Sequence, residues 1–329
     1  MGKTSIRKKV MVTGGAGYSG SCLVRHLLIN RYDVVVLDNL LQGGDGVLCF
    51  LGYPGYEFIK GDIRDKSDVK KALIGVDYVV HLAAIVGEPA CNKYPEEAKT
   101  INLEGTRTIF NAAKSNGVKR FVFFSTCSSY GIQESDVMAN ENTFLNPVSL
   151  YAKTKIEMEQ FLMNNVGDNI FYTILRPSTV HGPSPRMRFD LIVNHFVKDA
   201  VLNGKLEIYG GNLWRPFMWV GDAARAVEKV LSADESIVKN QVFNVGNTDT
   251  NFRKYEIAEI IKNNYLPDLK VEFGGEDQDL RSYRVDFSKI EKHLNYKLAK
   301  TLDDAIGELI ILVDKKVATD LDSPKYRNH

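Results

Sequence analysis

The stretch Val10-Met11-Val12-Thr13-Gly14-Gly15-Ala16-Gly17-Tyr18-Ser19-Gly20 joins a short apolar strand to a helix pattern that extends to about Asn30. Its glycines at 14, 17 and 20 allow a tight turn, close approach of the backbone to a pyrophosphate, and close packing of helix on sheet. The free N–H groups at the start of that helix face such an anion. This strand, turn and helix therefore predict a phosphate-binding unit at the start of a parallel sheet.

A second apolar strand, VVVLD, ends at Asp38. A carboxylate at this place can accept hydrogen bonds from both hydroxyls of a ribose and repels a 2′-phosphate, so the sequence predicts NAD rather than NADP. A simpler interpretation, in which the glycines only form a turn and Asp38 only caps a helix, stays open at this point. Asp62 and Ile63 end the third strand pattern, where they could enclose an adenine or form a surface turn.

Short β-branched runs alternate with helix patterns through the first half of the chain. The runs are continuously apolar, which is typical of a parallel sheet covered by helices on both faces. After Pro177 the alternation stops, and glycines, prolines and arginines precede a further helix. We predict an α/β protein with a Rossmann-type doubly wound parallel sheet over residues 1–177 and a smaller α/β C-terminal substrate domain over 178–329. The segment of about 216–246 could return to the first sheet.

The composition excludes several classes of protein. The formal net charge is +1 and the pI is about 7.6, so no overall field attracts nucleic acid or an anionic membrane. The basic N-terminus lacks the apolar segment of a signal peptide, and no run is long enough to cross a bilayer. The four cysteines are sparse and irregularly spaced, which argues against disulfides and against a zinc site. We therefore expect a cytoplasmic protein without a bound metal.

Tyr151 and Lys155 lie four residues apart in the helix pattern LYAKTKIEMEQF and so share one face of that helix. A tyrosine acts as a base near neutral pH only if its pKa falls from about 10. A nearby ammonium, together with a cationic nicotinamide, favours that fall. The same spacing also arises by chance in amphipathic helices, so spacing alone leaves both interpretations open.

Four motifs in a fixed order give a more specific interpretation. They are the glycine loop 14–20, His81-Leu82-Ala83-Ala84, Ser125-Thr126, and Tyr151-Ala152-Lys153-Thr154-Lys155. With this order the chain resembles the extended short-chain dehydrogenases/reductases, and more narrowly their nucleotide-sugar epimerase/dehydratase branch, from Val10 to about Leu312. The resemblance implies an NAD-dependent enzyme that acts on a nucleotide-diphosphate sugar.

The resemblance also implies roles for individual residues. Thr126 falls where the family has its catalytic serine or threonine, which would relay a proton from the sugar hydroxyl to Tyr151. Lys155 would hold the nicotinamide ribose while hydride passes from the sugar to the nicotinamide. The residues implied to bind NAD are Gly14, Gly17, Tyr18, Ser19, Gly20, Asp38, Asn39, Asp62, Ile63, Leu82, Ala83, Ala84, Tyr151 and Lys155.

The neighbours of Thr126 set limits on the chemistry. Cys127 and Ser128 occupy the two positions at which the 4,6-dehydratases of this branch carry Asp and Glu, so ordinary dehydration is not expected. Cys127 could act as a weak acid or base, or it could merely line the pocket. Ser125 is expected to form a hydrogen bond at the strand end, and Ser129 is expected to pack.

Arginines are the expected ligands of the substrate diphosphate, because guanidinium groups match phosphate geometry. Thr179 stands where many relatives have Asn, and Glu276 stands where a galactose epimerase has Arg, so the base and the sugar stay open. His81 is expected to be packed, and His181 could be structural or an auxiliary acid or base. The residues expected to bind substrate are Cys127, Ser128, Thr179, Arg215 and Arg281, whereas Arg186 and Arg188 could also be solvated loop charges.

Three functional outcomes stay open. A 4-epimerase would oxidise C4 of the sugar and return hydride to the opposite face, and we favour this outcome. A 4-dehydrogenase would instead release the 4-keto sugar and NADH. A protein of another class would bind the dinucleotide only as a sensor or scaffold. The resemblance also implies a homodimer formed through two helices, which correspond to about 96–115 and 151–165.

Overall fold

The structure is a computed structural model, and it describes residues 7–134, 137–275 and 279–328. Glu276, whose sequence position bears on the substrate, lies outside the described residues. The β-strands of the described residues are, in chain order, β1 (Lys9–Thr13), β2 (Asp33–Asp38), β3 (Tyr56–Lys60), β4 (Tyr78–His81), β5 (Arg120–Phe124), β6 (Met138–Ala139), β7 (Phe171–Pro177), β8 (Thr179–His181), β9 (Lys205–Ile208), β10 (Trp214–Trp219), β11 (Gln241–Val245), β12 (Asn251–Arg253), β13 (Lys270–Phe273) and β14 (Arg284–Val285).

Helices lie between most of these strands. None of those within the described ranges has the length and apolar character needed to cross a bilayer. The α-helices are, in chain order, α1 (Tyr18–Ile29), α2 (Asp45–Leu48), α3 (Lys66–Ala72), α4 (Glu88–Lys93), α5 (Pro95–Lys99), α6 (Thr106–Ser115), α7 (Leu150–Asn165), α8 (Ile192–Asn203), α9 (Val220–Ser232), α10 (Glu235–Val238), α11 (Lys254–Asn264), α12 (Ser288–Leu294) and α13 (Leu302–Asp314).

Seven parallel strands form the central sheet, in the order β11-β7-β5-β4-β1-β2-β3. The chain runs outward from β1 through β2 and β3, then crosses to β4 on the other side of β1. This reversal is a topological switch point, where open α/β sheets bind ligands outside the carboxyl ends of their strands. The Rossmann-type doubly wound sheet expected from the sequence is confirmed.

Both faces of this sheet are buried. Successive side chains of a strand point to opposite faces, so each strand contributes to an apolar cluster on either side of the sheet. Val10 and Val12 of β1 enter an apolar cluster with α1 and α9, whereas Met11 enters a second cluster with α3, α6 and α7. A strand covered on both sides needs apolar residues at every position, which explains the continuous apolar runs in the sequence.

The segment 216–246 divides between two sheets. β10 pairs with β8 and β12 in a separate three-stranded sheet, whereas β11 joins the central sheet beside β7. α9, which lies between β10 and β11, packs against α1. The part of this segment after β10 therefore lies with the central sheet. The domain division at residue 177 stays a prediction.

A third apolar cluster joins α8, α11 and α13, and we call the elements around it the small lobe. Tyr18, the first residue of α1, inserts its ring into this cluster. Its hydroxyl donates to the Gly182 carbonyl at 2.5 Å and accepts from Asn194 Nδ2 at 3.2 Å. The side chain of Tyr18 thus fastens α1 to the small lobe.

The helix expected over 96–115 is interrupted. α5 ends at Lys99, and a π-helical turn, Thr100–Gly105, leads into α6. Within the turn, Asn102 Oδ1 accepts from the Ile85 N–H at 2.8 Å, and its Nδ2 donates to Thr154 Oγ1 of α7 at 3.2 Å. π-helical turns often occur at functional sites. Here the turn ties the chain after β4 to the helix that carries Tyr151.

Candidate active site

A cavity of about 740 Å³ opens at the switch point, beside the residues that follow β1, β2, β4 and β5. It brings together nearly all of the residues singled out by the sequence, from both the nucleotide-binding and the substrate-binding sets. Those that line it are Gly14, Gly17, Tyr18, Ser19, Gly20, Asp38, Asn39, Asp62, Ile63, Leu82, Ala83, Ala84, Thr126, Ser128, Tyr151, Lys155, Thr179, Arg215 and Arg281.

The glycine loop forms a cradle that has no room for side chains. Gly14 has φ +73°, and a Cβ added there would lie 2.7 Å from the backbone nitrogen of Ala83. A Cβ on Gly20 would clash with the Gly14 carbonyl oxygen. No side chain caps the start of α1, so its first N–H groups are left for an anion. These features fit the pyrophosphate of a dinucleotide.

Asp38 is held beside this cradle. Its carboxylate accepts from the N–H groups of Ala16 at 3.0 Å and Leu40 at 2.8 Å, and burial raises its pKa. Asp62, at the end of β3, is paired with Arg64 at 2.7 Å, and hydrogen bonding to that guanidinium lowers the pKa of Asp62. Both carboxylates line the cavity, where a ribose and an adenine would lie against them.

α7 carries Tyr151 and Lys155 into the cavity. Ser149 caps this helix by accepting from the Ala152 N–H at 3.2 Å, so Tyr151 falls in its first turn. The Lys155 ammonium donates to the Phe124 carbonyl at 2.7 Å, at the end of β5. Burial lowers the pKa of Lys155 to about 8.

The pKa of Tyr151 departs from the expectation drawn from its spacing. Burial is the largest influence and raises this pKa above its ordinary value, while Arg188, Arg281 and the nearby Thr126 hydroxyl act in the opposite direction. The side chains of the protein therefore do not produce the expected fall, because burial of the phenol outweighs the nearby cations. Thr126 is nonetheless close enough to influence the pKa of Tyr151, and the two predicted catalytic hydroxyls line the same cavity.

In the loop 125–131, Ser125 and Ser128 line the cavity beside Thr126, whereas Cys127 and Ser129 do not. Ser125 donates a short hydrogen bond to Glu159, as expected of a strand-end serine, and Ser129 is fully buried by packing. Cys127 is 1% exposed and does not line the cavity, since its thiol donates to the Arg176 carbonyl at 3.0 Å. The expectation that Cys127 contacts substrate is therefore corrected. Burial also raises the pKa of this thiol, which disfavours a reactive thiolate.

Two predicted phosphate ligands share one carboxylate. Asp279 lies 3.1 Å from Arg215 Nη2 and 2.6 Å from Arg281 Nη2. Although burial acts in the opposite direction, these two cations hold the pKa of Asp279 well below its ordinary value. Arg281 also donates to Ser128 Oγ at 3.1 Å, and the hydroxyls of Ser128 and Tyr283 lie 3.3 Å apart. Ser128 therefore connects the loop after β5 to the arginine pair.

His81 and His181, the two histidines considered in the sequence analysis, are buried and do not line the cavity. His81 Nδ1 lies 2.6 Å from Thr13 Oγ1, and its Nε2 lies 2.8 Å from Thr106 Oγ1. Burial lowers the pKa of each to about 3, so both rings are neutral at pH 7.

The sequence left open whether Arg186 and Arg188 are ligand groups or solvated loop charges, and it did not mark Gln42 or Asn328. Arg186 is 3% exposed rather than solvated, and Arg188 pairs with Asp190 at 2.7 Å. Gln42 and Asn328 also line the cavity, at the end where Asp38 lies. No local motif marks these residues, since Asn328 approaches Arg186 from 142 positions further along the chain.

The doubly wound fold and the glycine cradle at its switch point are typical of dinucleotide-binding enzymes, and arginines line another part of the same cavity. Residues 10–246 match the model of the NAD dependent epimerase/dehydratase family, and the chain belongs to that family. It is accordingly an NAD-dependent enzyme of nucleotide-sugar metabolism, so a non-catalytic sensor or scaffold is no longer supported.

Individual relatives agree with this assignment. The UDP-glucose 4-epimerase of Lactobacillus helveticus is 32% identical over 324 residues, which cover 91% of this chain and 95% of the relative. The structure of UDP-N-acetylglucosamine 4-epimerase from Methanobrevibacter ruminantium matches with a TM-score of 0.84 and 28% identity, over 94% of this chain and 99% of its own. The UDP-glucuronic acid 4-epimerase from Bacillus cereus, solved with UDP-glucuronic acid and NAD, has a TM-score of 0.84 and 26% identity, over 93% and 99%.

Proposed function

We propose that the protein oxidises C4 of a nucleotide-diphosphate sugar and acts as a 4-epimerase. The observation that carries this proposal is that Thr126, Tyr151 and Lys155 line one cavity together with the glycine loop and the arginine pair. Such a space suits a dinucleotide and a nucleotide sugar whose reacting hydroxyl lies against the two hydroxyls of the protein.

Tyr151, Thr126 and Lys155 have different roles in the proposed reaction. Because burial raises the pKa of Tyr151, the phenolate needs the positive charge of a bound nicotinamide before it can take the proton of the sugar hydroxyl through Thr126. A positioned acid–base group of this kind contributes roughly 10²–10⁴ to the rate. Lys155, steadied by the Phe124 carbonyl, keeps further N–H donors for the nicotinamide ribose. NAD, when bound, supplies the nicotinamide carbon that accepts hydride from C4.

The loop after β5 argues against elimination of water. A dehydratase needs one group to protonate the leaving hydroxyl and another to remove a neighbouring C–H proton. Position 127 holds a buried thiol that faces Arg176, and position 128 holds a serine that accepts from Arg281. Neither is a carboxylate, so oxidation followed by return of hydride is the reaction that these residues support.

The proposed function can be tested with a panel of UDP-, GDP-, CDP- and dTDP-sugars, with sugar products followed by NMR and NADH by absorbance. A redox-neutral change of sugar stereochemistry is expected. Stoichiometric NADH with a keto sugar would instead identify a 4-dehydrogenase.

The role of Tyr151 can be tested with Tyr151→Phe. This variant is expected to lose roughly 10²-fold or more in turnover while it still binds NAD, because only the proton acceptor is removed. Tyr53→Phe, a change at a half-exposed tyrosine outside the cavity, is the matched control. Turnover by Tyr151→Phe equal to that of the control would eliminate the phenol as the base.

We also propose a homodimer formed by the helices within 96–115 and 151–165. Arg107 of α6 and Glu157 of α7 form an ion pair of 2.7 Å, so the two helices present one joined surface. Met163 of α7 is 38% exposed on the described chain, which suits a partly apolar contact. Sedimentation equilibrium is expected to give twice the mass of the chain, and a monomer at micromolar concentration would contradict the proposal.

A further inference from the structure

Residues 321–328 run along the small lobe and end at the cavity, and we call them the C-terminal strap. Leu321 is buried in the core of the small lobe, and Asp322 pairs with Lys198 at 2.6 Å. The Tyr326 ring packs edge-on against the Phe189 ring, and the Tyr326 backbone carbonyl accepts from the Phe189 N–H at 2.9 Å. Apolar and charged contacts thus hold the strap in place along most of its length.

The end of the strap is joined to the cofactor side of the cavity by one arginine. Arg186 Nη1 donates to Asn328 Oδ1 at 2.7 Å, and its Nη2 donates to the Arg327 carbonyl at 2.7 Å. The same Nη2 donates to Gln42 Oε1 at 2.9 Å, in the loop that follows Asp38. Arg186 therefore links the strap to the wall against which the adenosine ribose is expected.

The position of Arg186 is that of a residue that binds a ligand rather than that of a surface charge. It is 3% exposed, it lines the cavity, and its Nε has no hydrogen-bond partner among the described residues. Asp190, Asp38 and Asp45 are the acidic groups that raise its pKa, but burial and the neighbouring Arg188 lower this pKa to about 10. A buried cation that keeps one unpaired donor is costly unless a further acceptor approaches it.

We propose that Arg186, Gln42 and the C-terminal strap form a closure over the adenosine half of the dinucleotide and retain it through successive turnovers. The loop after Asp38 cannot move away from the small lobe without breaking the contacts of Arg186. This inference rests on the proposed function, because a redox-neutral epimerase keeps its hydride on one cofactor molecule, whereas a dehydrogenase must exchange NADH after each turnover.

The closure can be tested by measuring the release of NADH from the loaded, full-length protein by fluorescence, with excess NAD as the competitor. Arg186→Met and Asn328→Ala are expected to release NADH at least roughly tenfold faster, since one lost bond to a charged group corresponds to about that factor. Arg327→Ala is the matched control, because Arg186 contacts only the carbonyl of that residue and the strap backbone is kept.

The measurement of NADH release tests the closure independently of the proposed reaction. Release is measured without any sugar, so a wrong assignment of substrate or reaction leaves the result intact. Circular dichroism of each variant identifies a change that merely unfolds the chain, and Asn328→Ala, at the surface of the strap, then provides the decisive comparison. Release from Asn328→Ala at the rate of Arg327→Ala, or wild-type NADH that exchanges within the mixing time, would overturn the proposal.

Discussion

The buried ion pair between Glu159 and Arg176 predicts a large effect from a small substitution. Their side chains are 2% and 4% exposed, and Arg176 donates to the carboxylate through Nη2 at 2.5 Å and through Nε at 3.0 Å. Ser125 donates to the same carboxylate, and Cys127 donates to the Arg176 carbonyl. Through these two hydrogen bonds the pair fixes Ser125 and Cys127, the residues on either side of Thr126.

Glu159→Gln keeps the shape of the side chain but leaves the guanidinium of Arg176 without a counter-charge. Loss of one partner from a buried pair costs about 3–5 kcal/mol. That is a large part of the roughly 5–15 kcal/mol that stabilises an ordinary domain, and it corresponds to a fall of about 10 °C in melting temperature. We also expect turnover to fall by about tenfold or more, because Thr126 loses a neighbouring anchor.

Thermal and urea unfolding followed by circular dichroism give the magnitude, and the matched control lies on the same helix. Glu157 pairs with Arg107 at 2.7 Å, but both side chains are largely exposed, so Glu157→Gln should cost less than about 1 kcal/mol. The double change Glu159→Leu with Arg176→Met removes both charges and should recover part of the loss. A Glu159→Gln variant as stable as Glu157→Gln would refute the reasoning.

Two further predictions concern the cradle and the buried histidines. Gly14→Ala should abolish NAD binding in a calorimetric titration, because its φ is +73° and a Cβ would lie 2.7 Å from a backbone nitrogen, whereas Gly44→Ala, at an ordinary φ, should bind normally. His81 and His181 have folded pKa values of about 3, below the unfolded value, so the stability present above pH 6.5 is lost as pH falls. Each should cost about 2 kcal/mol between pH 7 and pH 5. Urea unfolding at both pH values measures this loss, and His81→Gln should make it smaller by about 2 kcal/mol; a His81→Gln variant that loses as much stability as the wild type between pH 7 and pH 5 would contradict the assignment.

The parts of the molecule that follow from local sequence were predicted well. The central strands are continuously apolar because each is covered twice, and the glycine loop needs its residues for backbone reasons that hold in any context. Tyr151 and Lys155 share a helix face because their spacing is close to one turn. These features depend on neighbours within a few residues along the chain.

Features that depend on distant contacts were not predicted. The burial of Cys127 follows from its position against Arg176, 49 residues away. The raised pKa of Tyr151 reflects how deeply α7 is covered, which spacing does not reveal. The π-helical turn Thr100–Gly105 lies in a segment whose apolar periodicity fits a continuous α-helix, and the partner of its Asn102 is in α7.

The contacts of Tyr18 couple the position of α1 to that of the small lobe. Tyr18 is the first residue of α1, the helix whose N-terminus faces the expected pyrophosphate. The ring of Tyr18 is nevertheless embedded in the small lobe, and its hydroxyl donates to the Gly182 carbonyl. Ser184, two residues further on, also donates to the Tyr18 carbonyl at 2.7 Å. Any displacement of the small lobe must therefore either break these contacts or carry the first turn of α1 with it.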